Sequence, residues 1–117
     1  MLPKQYRLKN KSAFNATYRV KNSHHKGGIT LFAGILKKDT DTHTRVGFVV
    51  SKKTHKRAVK RNRIKRLMRE SYRLLLKTND LYNSQKYMSL IFTASEHALN
   101  KPFSEIQNIM KNLLQRL

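Results

Sequence analysis

From Lys52 to Arg73 the chain places eleven Lys or Arg residues around a single acid, Glu70. That is a formal +10, half of the chain's +20, inside 22 positions. Side chains of these types do one kind of chemistry well, which is to bind phosphate. A guanidinium offers a planar fork of donors that matches two phosphate oxygens at once. Arg61, Arg63, Arg66, Arg69 and Arg73 outnumber the lysines in the densest part, and Asn62 and Lys65 stand among them. Lys52, Lys53, Lys56 and Arg57 come just before, where the unpaired N–H groups of a helix start also favour anions. A solubilising face would interleave both signs, and this one does not. A second set of residues suits unpaired bases. Phe14 and Tyr18 lie four positions apart and share a helix face, and Phe32 on a strand can meet them if the helix lies along the sheet. Core packing is the alternative for all three.

Residues for bond-breaking are scarce. The chain has six acids, no Cys, and five His without metal-ligand spacing. Asp39 and Asp41 read as turn formers rather than a cation clamp. Ser51 follows a strand but lacks a glycine elbow. A protein-only nuclease would want clustered carboxylates, so we expect no catalytic residue and no metal site in the chain itself.

The elements that must position these groups follow from periodicity. In 117 residues there is room for one domain with a modest core. Asn10 or Ser12 caps a helix over 11–20. A polar turn at 24–28 precedes a strand over 29–36, and 37–44 reads as a hairpin loop. The near-continuous apolar run 45–50 reads as a strand central in its sheet. After a basic loop at 52–57, a helix spans 58–77. Ile64, Leu67, Met68, Ser71, Leu74 and Leu75 share one face of it, with Asn62, Arg66, Arg69 and Arg73 opposite. Arg61 and Lys65 flank that stripe on one shoulder and Arg63 on the other. A third strand covers 87–93, and a closing helix begins after Pro102. The order α-β-β-α-β-α predicts an α/β sandwich with a small mixed sheet, and residues 1–117 form one RNA-binding domain. A helix-turn-helix is disfavoured because a strand, not a helix, precedes the basic segment. No apolar run approaches the ~18 residues of a membrane span, and no secretory hydrophobic region opens the chain. With a sequence pI near 10.8, the expectation is a soluble cytoplasmic protein whose partner is nucleic acid, folded RNA above all.

The run Arg61-Asn62-Arg63-Ile64-Lys65-Arg66-Leu67-Met68-Arg69-Glu70 resembles the protein subunit of bacterial ribonuclease P. Val46-Gly47-Phe48-Val49-Val50-Ser51-Lys52-Lys53 upstream, and Arg7-Leu8 with Phe14 and Tyr18, are similar too. The resemblance implies an RNA partner that cleaves the 5′ leader from precursor tRNA with magnesium, Mg2+ being held with that RNA. It implies that the basic helix and loop bind the catalytic RNA. It also implies that Phe14, Tyr18 and Phe32 line a cleft for the leader, and that no protein partner is required. It further implies a left-handed crossover between parallel strands, against the usual hand. The chain departs from the pattern in two places. Thr54-His55-Lys56-Arg57 has no glycine, and Thr93-Ala94-Ser95-Glu96 lacks the basic residue that many members carry. The competing reading is a ribosomal or assembly protein that binds RNA without taking part in cleavage.

Overall fold

The computed structural model describes residues 2–39 and 42–117. In chain order the elements are helix α1 (Lys11–Arg19), strands β1 (Asn22–Lys26), β2 (Ile29–Ala33) and β3 (Arg45–Val49), helix α2 (Ala58–Lys77), strand β4 (Ser89–Ala94) and helix α3 (Phe103–Gln115). The sheet runs β1-β2-β4-β3, with β3 and β4 parallel and the other pairs antiparallel. The α/β sandwich is therefore present, with one strand more than the sequence indicated.

Three local expectations change. The supposed polar turn at 24–28 is mostly strand β1, which pairs with β2 through Gly27 and Gly28 at φ 58° and 87°. Glycines tolerate positive φ at both turn positions, as a tight hairpin demands. Strand β1 was hidden because Asn-Ser-His-His-Lys has no apolar residue; its hydrogen bonds to β2, not its side chains, make it a strand. As an edge it suits this polarity. Second, 37–44 is not a hairpin loop, because β4 inserts between β2 and β3. The expected Asp39 turn is present: its Oδ1 accepts from Thr42 N at 3.0 Å and Thr42 Oγ1 at 2.9 Å. Asp41 lies outside the described residues. Third, β3 is an edge strand, and β4 holds the central place. The apolar character of β3 reflects burial on its faces, and its outer edge is partly closed by Leu8 N donating to Val46 O at 2.9 Å.

The two sheet faces differ. Leu31, Leu90 and Phe92 point with Val46 into the main core. There they meet Ile64, Met68, Tyr72 and Leu75 of α2, and the apolar stripe of α3 from Ile106 to Leu114. The helical periodicity of 58–77 is realised, except that Tyr72 joins the buried stripe and Leu67 and Leu74 sit half-buried at its rim. The opposite face of the sheet carries α1.

Tyr72 is fully buried, and its hydroxyl accepts from Gln85 Nε2 at 3.1 Å. Burial pushes its phenol up to about 12 from the ordinary 10.0. The unfolded chain thus loses this proton first, so stability is intact below about pH 10 and falls as pH rises towards about 12. The loss approaches ~3 kcal/mol at 1.36 kcal/mol per pH unit. Tyr72→Phe is expected to cost ~0.5–1.5 kcal/mol at neutral pH and to remove this alkaline sensitivity. Denaturant melts of both proteins from neutral to strongly alkaline pH check it. A stability gap that does not shrink with pH contradicts the assignment.

Candidate nucleic-acid interface

Helix α1 starts where expected: Asn10 Oδ1 accepts from Ser12 N at 2.9 Å, satisfying one of the unpaired first-turn donors. The helix is then pinned to the sheet at three points. Thr17 is buried; its hydroxyl donates to Ala13 O at 2.8 Å and accepts from Ser89 Oγ at 2.5 Å. Tyr18 meets Phe32 edge-to-face, with ring centroids 4.9 Å apart. The Phe14 ring lies on Gly47, where a Cβ would stand 2.5 Å from its atoms. Gly47 is therefore the residue that lets α1 approach β3. Phe32, Ile91 and Gly47 are register partners in one row across three strands. The structure thus brings Phe14, Tyr18 and Phe32 together over that row. All three remain half-buried and lie outside the main core cluster. Desolvation of Tyr18 by its surroundings raises its phenol pKa, so the ring stays neutral at physiological pH.

At the outer edge of β3 this aromatic face meets the basic helix. A groove of about 320 Å³ is lined by Phe14, Val46, Gly47 and Phe48, together with Arg7, Lys9, Lys65 and Arg69. Apolar floor and cationic walls in one groove match a nucleotide, which presents a flat base and a phosphate. Arg7 and Lys9 were not singled out in the basic set. Arg7 carried a signal only as part of the Arg7-Leu8 resemblance, and Lys9 only through its place immediately before the Asn10 cap.

The basic residues themselves divide by what they already hold. Arg61 Nη1 donates to His55 O at 2.6 Å and so ties the 52–57 loop to α2. Arg63 donates to Leu99 O at 2.9 Å and Lys101 O at 3.4 Å, fastening α2 to the entry of α3. Arg73 pairs with Glu70 through Nη2–Oε1 at 2.5 Å. That hydrogen bond holds Glu70 below the usual carboxylate range and raises Arg73. By contrast, the side chains of Lys52, Lys53, Lys56, Arg57, Asn62, Lys65, Arg66 and Arg69 have no hydrogen-bond or ion-pair partner among the described residues. They are a row of uncommitted donors. Among the described residues no three His, Asp or Glu side chains stand close enough to hold a metal, and no helix is long and apolar enough to cross a membrane.

The family model described as Ribonuclease P matches residues 2–117. The chain belongs to this family. It is 35% identical over 111 residues to the Ribonuclease P protein component of Clostridium kluyveri, covering 95% of this chain and 93% of that one. To its counterpart in Pseudanabaena sp. it is 34% identical over 116 residues, covering 99% and 94%. The solved RNase P protein of Staphylococcus aureus superposes with a TM-score of 0.76 at 28% identity, covering 95% of this chain and 94% of that one. The motif of this chain is thus divided: Arg61, Arg63 and Arg73 make contacts within the fold, and the side chains of Asn62, Lys65, Arg66 and Arg69 have no such partner among the described residues.

That division sets a stability contrast. Arg63→Ala strands two half-buried carbonyls and is expected to cost ~1–3 kcal/mol, whereas Arg66→Ala is expected to stay within ~0.5 kcal/mol of the parent. Urea melts of both variants check this; equal effects contradict the division.

Proposed function

We infer that this chain is the protein component of ribonuclease P, the ribonucleoprotein endoribonuclease that matures tRNA 5′ ends. An RNA partner is intrinsic to that assembly, and family membership argues against the ribosomal or assembly-protein alternative. In the finer reading, the uncommitted donors of α2 and the 52–57 loop grip the phosphates of the catalytic RNA. The 5′ leader of precursor tRNA threads over Phe14, Tyr18 and Phe32. The observation that carries this reading is the groove at the β3 edge, where Phe14 and the Lys65 and Arg69 side chains line one cavity. One surface suits structured phosphates, the other a single strand, and they are contiguous.

Cleavage chemistry belongs to the RNA in this reading. Magnesium supplies activation of the attacking water. Among the described residues no three His, Asp or Glu side chains stand close enough to hold it, and in this reading the ion would be carried with the RNA. The protein's contribution is electrostatic and positional: it screens phosphate repulsion between two RNAs and fixes the leader's path. The setting is the cytoplasm, where tRNA precursors are made.

Two outcomes test this. With reconstituted holoenzyme, Tyr18→Ala is expected to weaken binding of leader-bearing precursor ~tenfold, one stacked base being worth ~1–3 kcal/mol, and to leave mature tRNA binding unchanged. Equal losses for both RNAs count against a leader cleft. Arg66→Ala and Arg69→Ala are each expected to flatten the log–log salt dependence of catalytic-RNA binding by ~0.7–0.9. An unaltered slope removes that residue from the phosphate contacts.

A further inference from the structure

Beyond the aromatic row, the same sheet face carries a second row: Thr30, Thr93 and Val49, in register across β2, β4 and β3. Side chains two residues apart on a strand share a face, so this row lies ~7 Å from the first. Together with Ser51, Thr54 and Ser95 at the strand ends it walls a groove of about 280 Å³. Gly28 and Ala94 complete the lining.

The chemistry of this groove contrasts with the rest of the molecule. In a chain of 26 basic residues, no charged side chain lines it, and no aromatic one does. Five of its eight lining residues carry hydroxyls. A phosphate would find no cation among the lining side chains. A base seeking a stacking partner would find none. What such a wall can satisfy is a ligand with its own hydroxyls, and the ribose edge of a nucleoside is that ligand.

The hydroxyls differ in how far they are committed. The Thr30 hydroxyl is hydrogen-bonded to His25 Nδ1 at 2.9 Å, and Thr54 Oγ1 donates to Ala94 O at 3.4 Å. Ser51 Oγ accepts from Lys53 N at 3.2 Å and keeps its own proton to give. Thr93 and Ser95 have no side-chain partner among the described residues, and Ser95 Oγ is screened from solvent as well. A screened hydroxyl without a partner is costly, and a turn of the Ser95 side chain towards the groove it lines would give that hydroxyl a partner on a bound ligand.

We propose that this groove is a ribonucleoside subsite in which Thr93, Ser95 and Ser51 hydrogen-bond the 2′-hydroxyl edge of one leader nucleotide, next to the one stacked at Tyr18 and Phe32. The subsite rests on the leader-cleft reading above and adds to it a means of telling RNA from DNA, since a 2′-hydroxyl is the group that distinguishes them. It also makes part of the leader affinity independent of charge. Salt weakens phosphate contacts and leaves neutral hydrogen bonds largely untouched.

The test is a single-position 2′-deoxy scan of the leader, with binding measured to reconstituted holoenzyme carrying parent protein, Thr93→Val, Ser95→Ala or the hydroxyl-retaining Thr93→Ser. In the parent, one leader position is expected to lose about three- to tenfold in affinity on deoxy substitution, the worth of one or two neutral hydrogen bonds. That position is expected to become insensitive in Thr93→Val and Ser95→Ala and to stay sensitive in Thr93→Ser, with the salt slope the same in all four. Intact preference for leader-bearing precursor over mature tRNA with a flat deoxy scan overturns the subsite and leaves the leader cleft standing. So does a deoxy penalty equal in the parent and Thr93→Val. No preference for the leader in the parent overturns the cleft itself and the subsite with it.

Discussion

Like charge repels, and the molecule is organised around holding a large excess of one sign on a rigid helix. Between neighbouring basic side chains ~5–6 Å apart on α2 the repulsion is below ~1 kcal/mol per pair in water, and salt screens it further beyond ~8–10 Å. Burying Ile64, Met68, Tyr72 and Leu75 on the other side of the same helix contributes ~1.5–3 kcal/mol for each side chain. Packing therefore wins, and α2 is helical despite its charge. Only two ion pairs form among the described residues, Glu70–Arg73 and Glu105–Lys101. The middle of α2 is left electrostatically unmet until a polyanion arrives, which is the physical basis of the RNA contact proposed for it.

The fold then solves a positional problem. On the proposed reading a single strand takes the neutral, partly apolar floor and a folded RNA takes the cations, so the two surfaces must adjoin. The sheet separates them: α2 lies on one face and α1 on the other. They meet at the edge of β3, where Lys65 and Arg69 reach the same groove as Phe14. Gly47 makes the meeting possible, because any side chain there would collide with the Phe14 ring. The missing side chain at Gly47 thus sets how closely Phe14 of α1 can approach β3 beside this groove.

Helix α2 was legible in the sequence because its apolar residues recur at helical spacing and its charges fill the remaining faces. The cap at Asn10 and the pairing of Phe14 with Tyr18 were legible for the same local reason. What eluded the sequence is non-local. Strand β1 has no side-chain signal and exists through its ladder with β2. The edge position of β3 depends on β4, which arrives some forty residues later and takes the centre. Arg63 reads as part of a uniform basic run, yet its carbonyl partners at Leu99 and Lys101 are distant in sequence. The hydroxyl row of Thr30 and Thr93 emerges only when β2 and β4 are placed side by side.

The central claim is that two surfaces of one small domain hold two different RNAs. Site-specific photocrosslinking in reconstituted holoenzyme with leader-bearing precursor tests it most directly, with the photoreactive residue at position 32 in one protein and at position 66 in another. The expected result is that position 32 labels the leader and position 66 labels the catalytic RNA. Labelling of the same RNA from both positions would contradict the division of labour.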